Sequence, residues 1–194
     1  ESGDGGAIQI IQSIGSVIAD NRIYRNVAGV YGGAIGVAGG EGDTIRNNLI
    51  YANTGFSDIR TIDYKCAIHD NTISSNSSSA GIELRLTGDL KVRSNIVCFT
   101  TASAAIYDDI GEPGTITAQY NCTFANVPVD YNFSVDGTNI TSPAQFVDSV
   151  HNNYQLLSGS PCINAGDPNP LLNDADLTRN DIGVDLSMIP DSVC

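Results

Sequence analysis

The sequence of 194 residues contains no tryptophan, one methionine, two histidines and only nine lysines and arginines against 22 aspartates and glutamates. Its formal net charge of −13 argues against nucleic-acid binding, which needs a basic face, and disfavours contact with anionic membranes. His69 and His151 lie far apart in the sequence, so no histidine-based triad or metal site is indicated. No stretch approaches the roughly 18 apolar residues of a membrane span, and no signal peptide is recognisable.

The charge is unevenly distributed along the chain. Residues 1–93 carry 10 acidic and 8 basic side chains, whereas residues 94–194 carry 12 acidic and 1 basic. The two halves therefore have net charges of −2 and −11, and we expect them to have different roles.

The apolar residues favour strands over helices. Isoleucine and valine together number 35, against 10 leucines, and β-branched side chains suit the pleated surface of a sheet. The 20 glycines and 18 asparagines favour frequent turns. This composition predicts an all-β protein.

Two sequence patterns recur in step with each other. In the first, an isoleucine follows two small residues, as in Gly6-Ala7-Ile8, Gly33-Ala34-Ile35, Ala80-Gly81-Ile82 and Ala104-Ala105-Ile106, with Ile59 as a looser match. In the second, an asparagine opens the pattern Asn-x-Φ-x-x-Asn or its variants, at Asn21, Asn48, Asn71, Asn95 and Asn121. Both repeat every 23–27 residues through five units, which predicts the coils of a solenoid. We expect the asparagines to stack into a ladder in which each side-chain amide binds the next coil.

The two patterns together carry a family resemblance. Over about residues 5–126 they resemble the right-handed parallel β-helix of the pectate-lyase-like superfamily. A leucine-rich repeat fits poorly, because the units lack its leucine frame and any segment with helical periodicity.

A second resemblance covers the acidic C-terminal part. Gly159-Ser160-Pro161-Cys162-Ile163-Asn164-Ala165-Gly166-Asp167-Pro168, followed by Asp181-Ile182-Gly183, resembles the C-terminal segment of secreted and surface bacterial and archaeal β-helix proteins. The resemblances imply an all-β, right-handed parallel β-helix of about five coils (residues 1–126), with an irregular C-terminal capping segment (residues 127–194) packed on the last coil. In that family pattern Asp176, Arg179 and Asp181 tie this segment to the last coil.

One strand face collects candidate carbohydrate-binding residues. Stacked coils place equivalent positions about 4.8 Å apart, which puts Gln9, Gly36, Arg60, Glu83 and Tyr107 in one outward column. Arg85 and Asp109 follow two residues later on the same face. Charged side chains beside an aromatic ring on an extended face suit a sugar polymer. The alternative is an ordinary solvated face, with Arg60 and Glu83 as a cross-strand pair.

An enzyme of this superfamily would need more than the residues present here. A lyase needs a base beside a carboxylate or Ca²⁺, and Arg60, Glu83, Arg85 and Lys91 supply the residue types without a lyase signature. A glycosidase needs two carboxylates about 5 or about 6.5–9.5 Å apart. The Asp108-Asp109 pair resembles part of the polygalacturonase pattern, but the other aspartate motif, Gly-His-Gly and Arg-x-Lys are missing.

The C-terminal loop suggests an optional Ca²⁺ site. Asp167, Asn169, Asp174 and Asp176 offer oxygen ligands, although their spacing is not that of an EF-hand and the neighbouring prolines fit a rigid turn equally well. We therefore predict no required cofactor, with Ca²⁺ as an open alternative.

Cysteines and asparagines suggest covalent modifications. None of the five cysteines forms a CxxC motif, so zinc is not indicated, and Cys162 with Cys194 is a candidate disulfide in an oxidising compartment. Four Asn-x-Ser/Thr sequons occur, and Asn132 and Asn139 are the candidate glycosylation sites.

These features predict a non-catalytic extracellular or cell-surface protein with a structural or adhesive role. Its expected partners are a polysaccharide or copies of itself, with no nucleic acid and no membrane span. Only Glu1–Asp4 precede the first coil, so either further coils or a second subunit stacked end to end would be expected to cover it. The alternative function is a fragment of a lyase or glycoside hydrolase acting on acidic polysaccharide.

Overall fold

The computed structural model describes residues 6–29, 32–62, 65–74, 76–85, 88–101, 103–109 and 115–189. In chain order its strands are β1 (Ile8–Ile11), β2 (Val17–Ala19), β3 (Arg22–Tyr24), β4 (Ile35–Ala38), β5 (Asp43–Arg46), β6 (Leu49–Tyr51), β7 (Thr54–Ile62), β8 (Cys66–His69), β9 (Thr72–Ser74), β10 (Ser77–Leu84), β11 (Leu90–Arg93), β12 (Ile96–Cys98), β13 (Ala104–Asp108), β14 (Ile116–Gln119), β15 (Cys122–Phe124), β16 (Val129–Tyr131), β17 (Phe146–Asp148) and β18 (Asn153–Leu156). Two short 3₁₀ helices span Ser149–His151 and Pro170–Leu172. Within these ranges no helix has the length and apolarity to cross a bilayer.

The strands stack into three parallel sheets. The first sheet has the order β1-β4-β7-β10-β13-β16, the second β14-β11-β8-β5-β2 and the third β15-β12-β9-β6-β3. Successive strands of the chain visit the three sheets in turn, so each set of three strands forms one turn and pairs with the next turn. The predicted parallel β-solenoid of about five turns is therefore confirmed.

The interior is filled by columns of aliphatic side chains. Along the first sheet, the isoleucines of the first sequence pattern are register partners, in the order Ile8, Ile35, Ile59, Ile82 and Ile106. The last four are fully buried. Burying each such side chain contributes about 1.5–3 kcal/mol, so an isoleucine at the equivalent position of every turn stabilises the solenoid.

The asparagine ladder is present as predicted. The side-chain amide nitrogen of Asn21 donates to Oδ1 of Asn48, and the same contact links Asn48, Asn71, Asn95, Asn121 and Asn139 in series, at 2.9–3.2 Å. A shorter ladder joins Asn26, Asn53 and Asn76. Each rung also binds main-chain carbonyls, as when Asn71 Nδ2 donates to Ile45 O and His69 O, both at 3.0 Å. The ladder thereby satisfies turn groups that water does not reach.

The ladder supports an unusual backbone conformation. The residue before each long-ladder asparagine, from Asp20 to Tyr120, has a left-handed φ between 49° and 61°. This conformation costs a non-glycine residue roughly 1–2 kcal/mol. Ser94 and Tyr120 have this conformation as Asp20 and Asp70 do. In each case the asparagine that follows fixes the turn with hydrogen bonds to the next turn.

The C-terminal segment lies along the side of the solenoid. Third-sheet residues such as Ile96 and Phe124 project away from the interior and pack against Ala144 and Ile182 of this segment. Further along, Tyr51 packs against Tyr154 in a separate cluster. The segment therefore covers the outer face of the third sheet, over several turns and not the last turn alone.

Main-chain hydrogen bonds show the direction in which this segment crosses the turns. The N–H of Gly183 donates to Ser94 O (2.8 Å) in the fourth turn, and that of Val184 donates to Thr72 Oγ1 (3.1 Å) in the third. The N–H of Asp185 donates to Asn47 Oδ1 (2.7 Å) in the second turn. Three consecutive residues thus bind three consecutive turns. Gly183 has φ +101°, and a Cβ there would lie 2.6 Å from Ile96 Cδ1, so the close approach requires glycine.

The start of the predicted C-terminal segment still belongs to the solenoid. β16 pairs with β13, and Asn139 forms the last rung of the long ladder. Arg179 lies with its guanidinium 5.4 Å from the ring centroid of Tyr120 in the fifth turn, a cation–π contact between the segment and the solenoid. Asp176 and Asp181 instead accept hydrogen bonds from Thr178 and Asn164 inside the segment, so the structure does not show them tying it to the last coil.

Candidate functional site

The outward column of the first sheet is the candidate site. Its strand register places Gln9, Gly36, Arg60, Glu83 and Tyr107 side by side, as predicted. The main-chain N–H groups of Arg85 and Asp109 continue the pairing beyond the ends of β10 and β13. The five predicted carbohydrate-binding residues therefore lie together in one region of the first sheet.

Arg60 and Glu83 are buried, which corrects the expectation that they lie on an open face. Arg60 is 3% exposed and Glu83 is 1% exposed. Arg60 Nε lies 3.5 Å from Glu83 Oε1, and Ser57 Oγ donates to Glu83 Oε2 at 2.9 Å. The alternation of apolar and charged residues correctly predicted that Arg60 and Glu83 lie side by side on one face of the sheet. It carries no information on how deeply the side chains of that face are buried. The two side chains form a buried cross-strand ion pair.

Opposing effects act on the carboxyl group of Glu83, and their net result is a raised pKa. Burial raises the pKa of the Glu83 carboxyl, while the hydrogen bond from Ser57 and the charge of Arg60 act in the opposite direction. A carboxylate in this position is held by its partners and is shielded from solvent. The arrangement suits a supporting role beneath the surface.

Three of the predicted residues remain accessible. The side chains of Arg85 and Asp109 are 33% and 29% exposed, and Arg85 Nε lies 2.8 Å from Asp109 Oδ2. Tyr107, the register partner of Glu83, is half-buried. A guanidinium, a carboxylate and a phenol ring offer donors, acceptors and an apolar face, which are the groups that sugar hydroxyls and sugar rings bind.

Asp58 is a buried acid that the sequence reasoning did not identify. It occupies the position before Ile59 where other turns have Ala34, Gly81 or Ala105, and its side chain is fully buried. Ser78 Oγ donates to Asp58 Oδ2 at 2.8 Å, and burial raises the pKa of this carboxyl well above its usual range. The sequence does indicate this site, because Asp58 stands where the repeat otherwise has a small residue before the isoleucine.

A shallow groove lies on the second sheet. It has a volume of about 230 Å³ and is lined by Gly42, Asp43, Lys65, Cys66, Ala67, Asp89 and Lys91. Lys65 is already paired with Glu41 at 2.7 Å, and Asp43 accepts a hydrogen bond from Ser13 Oγ at 2.6 Å. Arg93 on this sheet binds Asp167 of the C-terminal segment at 2.8 Å. Lys91 is exposed in the groove, and Lys65 beside it is exposed but paired with Glu41.

The predicted Ca²⁺ ligands are not brought together. Asp167 pairs with Arg93, Asn169 caps the second 3₁₀ helix through Leu171 N, and Asp176 binds Thr178. Asp174 accepts a hydrogen bond from Asp181 N at 3.0 Å. Within the described ranges no group of three or more His, Cys, Asp or Glu side chains is arranged to hold a metal ion. Each of these residues already has a partner within the protein: Arg93 of the solenoid for Asp167, and groups of the C-terminal segment for the other three.

The predicted modification sites have different surroundings. Cys162 is buried as a free thiol, and Cys194 lies outside the described residues. Asn132 is exposed, although its amide binds the main chain of Asp108 at 2.7 Å. Asn139 does not fit a glycosylation site, because its Nδ2 donates to Ala118 O (3.0 Å) as part of the ladder.

Comparison with protein-family models, with curated proteins and with solved structures found no match to this chain.

Proposed function

We propose that the protein is a non-catalytic, extracellular or cell-surface β-solenoid that binds a neutral polysaccharide along the outer face of its first sheet. The proposal follows the pectate-lyase-like resemblance of the repeats, and one observation carries it. That observation is the half-exposed group of Arg85, Asp109 and Tyr107 beside the buried Arg60–Glu83 pair.

The buried pair keeps the binding group in place. Glu83 lies between Arg60 and Tyr107 in the strand register and is held by Ser57 and Arg60. A surface that is already ordered loses little conformational entropy when a flexible polymer binds, which favours affinity.

The charges favour a neutral polymer. Each arginine of the face lies next to a carboxylate, so the local charge is nearly balanced, and the whole chain has a net charge of −13. A polyanion would be repelled at long range and would find its arginines already paired. Sugar hydroxyls can donate to Asp109 and accept from Arg85 without disturbing that pair.

The same geometry supports binding over cleavage. Hydrolysis requires two carboxyl groups that reach the glycosidic bond, but Glu83 is enclosed and Asp109 is paired with Arg85. The alternative function is a fragment of a polysaccharide lyase or hydrolase. The observation that favours it is the raised pKa of Glu83, because a carboxyl group with a raised pKa suits a proton donor. That alternative requires Glu83 to become accessible.

Affinity electrophoresis in gels containing neutral polysaccharides, with pectate as the acidic comparison, tests the proposal. We expect Tyr107→Ala and Arg85→Ala each to weaken binding to the neutral polymer by roughly tenfold, the loss of about one ring or hydrogen-bond contact. Lys91→Ala removes the same charge as Arg85→Ala from the second sheet and should bind like the wild type. Absence of retardation in every gel, or release of cleaved sugar, would contradict the proposal.

Self-association is a second candidate, favoured by the surface of the first turn. Ile11, Ile14, Val17 and Val27 are largely exposed there, with Ile14 at 88%. Among the strands that the structure describes, β1, β2 and β3 are also terminal in their sheets. We propose that a second copy of the chain stacks on these edges, since unpaired edges and apolar side chains favour such contacts.

A further inference from the structure

Three buried cysteines lie together beneath the C-terminal segment. Cys98 in β12, Cys122 in β15 and Cys162 in the segment belong to one apolar cluster on the outer face of the third sheet. All three are free thiols in this structure. Cys98 Sγ lies 3.2 Å from Ser74 Oγ in its own column. Cys122 Sγ donates to Ser142 O at 3.3 Å, and the side chains of Cys122 and Cys162 interact within this cluster, across the boundary between solenoid and segment.

The main chain holds both cysteines in position. The N–H of Cys122 donates to Asn95 O at 2.8 Å, within the third sheet. On the opposite side, Cys162 O accepts from Ile182 N at 2.9 Å and Cys162 N donates to Ser160 Oγ at 3.2 Å. The main chain therefore fixes both cysteines where their side chains share one buried cluster, and this proximity is the first requirement for a disulfide.

We propose that Cys122 and Cys162 form a disulfide that fastens the C-terminal segment to the fifth turn when the protein meets a disulfide oxidant. The thiolate of one cysteine attacks a sulfur of the oxidant and releases one thiol. The second cysteine then loses its proton, attacks the mixed disulfide and releases the other thiol. Two protons and two electrons leave the protein, and one small-molecule or protein disulfide is reduced to two thiols.

The two thiols differ in acidity, which fits this order of events. The hydrogen bond from Cys122 lowers the pKa of Cys162, while the hydrogen bond with Cys162 and burial raise the pKa of Cys122. Cys162 is thus the thiol that ionises first. This pairing is an alternative to the predicted pairing of Cys162 with Cys194, and it would join the solenoid to the segment that covers it.

Peptide mapping of the full chain distinguishes the pairings. Cleavage before each aspartate places the five cysteines in five different peptides, which are 63–69, 89–107, 109–129, 148–166 and 191–194. The protein is reduced, refolded with oxidised glutathione, alkylated and digested without reductant. We expect a loss of about 2 Da in intact mass and a cross-link between peptides 109–129 and 148–166. The thermal midpoint should rise by roughly 10 °C and return on reduction.

Variants and alternative outcomes make the test decisive. Cys122→Ser and Cys162→Ser should abolish the mass loss, whereas Cys98→Ser, in the same cluster, should retain it. A cross-link between 148–166 and either 191–194 or 89–107 would overturn the proposal, as would five alkylated thiols or a stable glutathione adduct. If a serine variant does not fold, the wild-type peptide map still decides.

Discussion

Replacing Asn71 by alanine should destabilise the protein far more than replacing Asn21, although both are rungs of the same ladder. Asn71 is fully buried in the middle of the solenoid. Its Nδ2 donates to Ile45 O, His69 O and Asn95 Oδ1, and its Oδ1 accepts from the N and Nδ2 of Asn48, all at 2.9–3.0 Å. Alanine leaves these buried groups without their partner.

The number of bonds sets the expected magnitude. A hydrogen bond contributes about 1 kcal/mol net, and a buried group that loses its partner costs about 1–3 kcal/mol. Five contacts share the donors and acceptors of one amide, so we expect Asn71→Ala to lower the free energy of unfolding by about 3–5 kcal/mol. The Asn21 side chain donates to Ala19 O and Asn48 Oδ1 in a less buried position, and Asn21→Ala should cost about 1–2 kcal/mol.

Urea denaturation followed by far-UV circular dichroism measures the difference, since the chain has no tryptophan to serve as a fluorescent probe. Both variants remove the same atoms, which controls for helix or strand propensity and for the unfolded state. Equal losses of stability for Asn71→Ala and Asn21→Ala would refute the view that burial and the number of hydrogen bonds determine how much each asparagine contributes.

Two further predictions concern pH and association. Burial, together with the charge of Asp181, raises the pKa of Asp174 to about 6, so its stabilising contribution is complete below the unfolded value of about 3.9 and is lost as pH rises through about 6. Asp174→Asn should therefore flatten the fall in thermal midpoint between pH 4 and 7, and parallel wild-type and variant profiles would show this reasoning to be wrong. For the first turn, light scattering should show a mass that grows with concentration in the wild type and not in Ile14→Lys; a monomer at every concentration removes the self-association proposal.

The repeat positions were predictable because each turn must reproduce the geometry of its neighbours. Isoleucines and asparagines that recur in step, every 23–27 residues, therefore implied the strand register, the interior columns and the ladder, and all three are present. The outward column from Gln9 to Tyr107 followed from the same spacing. The spacing could not predict how far each side chain of this column is exposed to solvent. Arg60 and Glu83 are buried, although an open face was expected.

The sequence of the third-sheet strands contains an indication of where the C-terminal segment packs. Ile96-Val97-Cys98 and Leu49-Ile50-Tyr51 are apolar at every position, unlike the alternating strands of the second sheet. A strand that is apolar on both faces is buried on both faces, so the third sheet needed an outer cover. The acidic segment, which has no repeat of its own, provides it.

The sequence by itself determined the periodic part of this protein: the solenoid, its register and its asparagine ladder. These depend on contacts between equivalent residues of successive turns, so a period in the sequence is enough to reveal them. Only the tertiary structure decided the contacts between residues that share no period. They include the course of the segment across three turns, the separate partners of Asp167 and Asp174, and the presence of Cys122 and Cys162 in one buried cluster. Such contacts arise where an irregular segment packs on a regular one, and there the spacing of residues along the chain does not specify their distance in space.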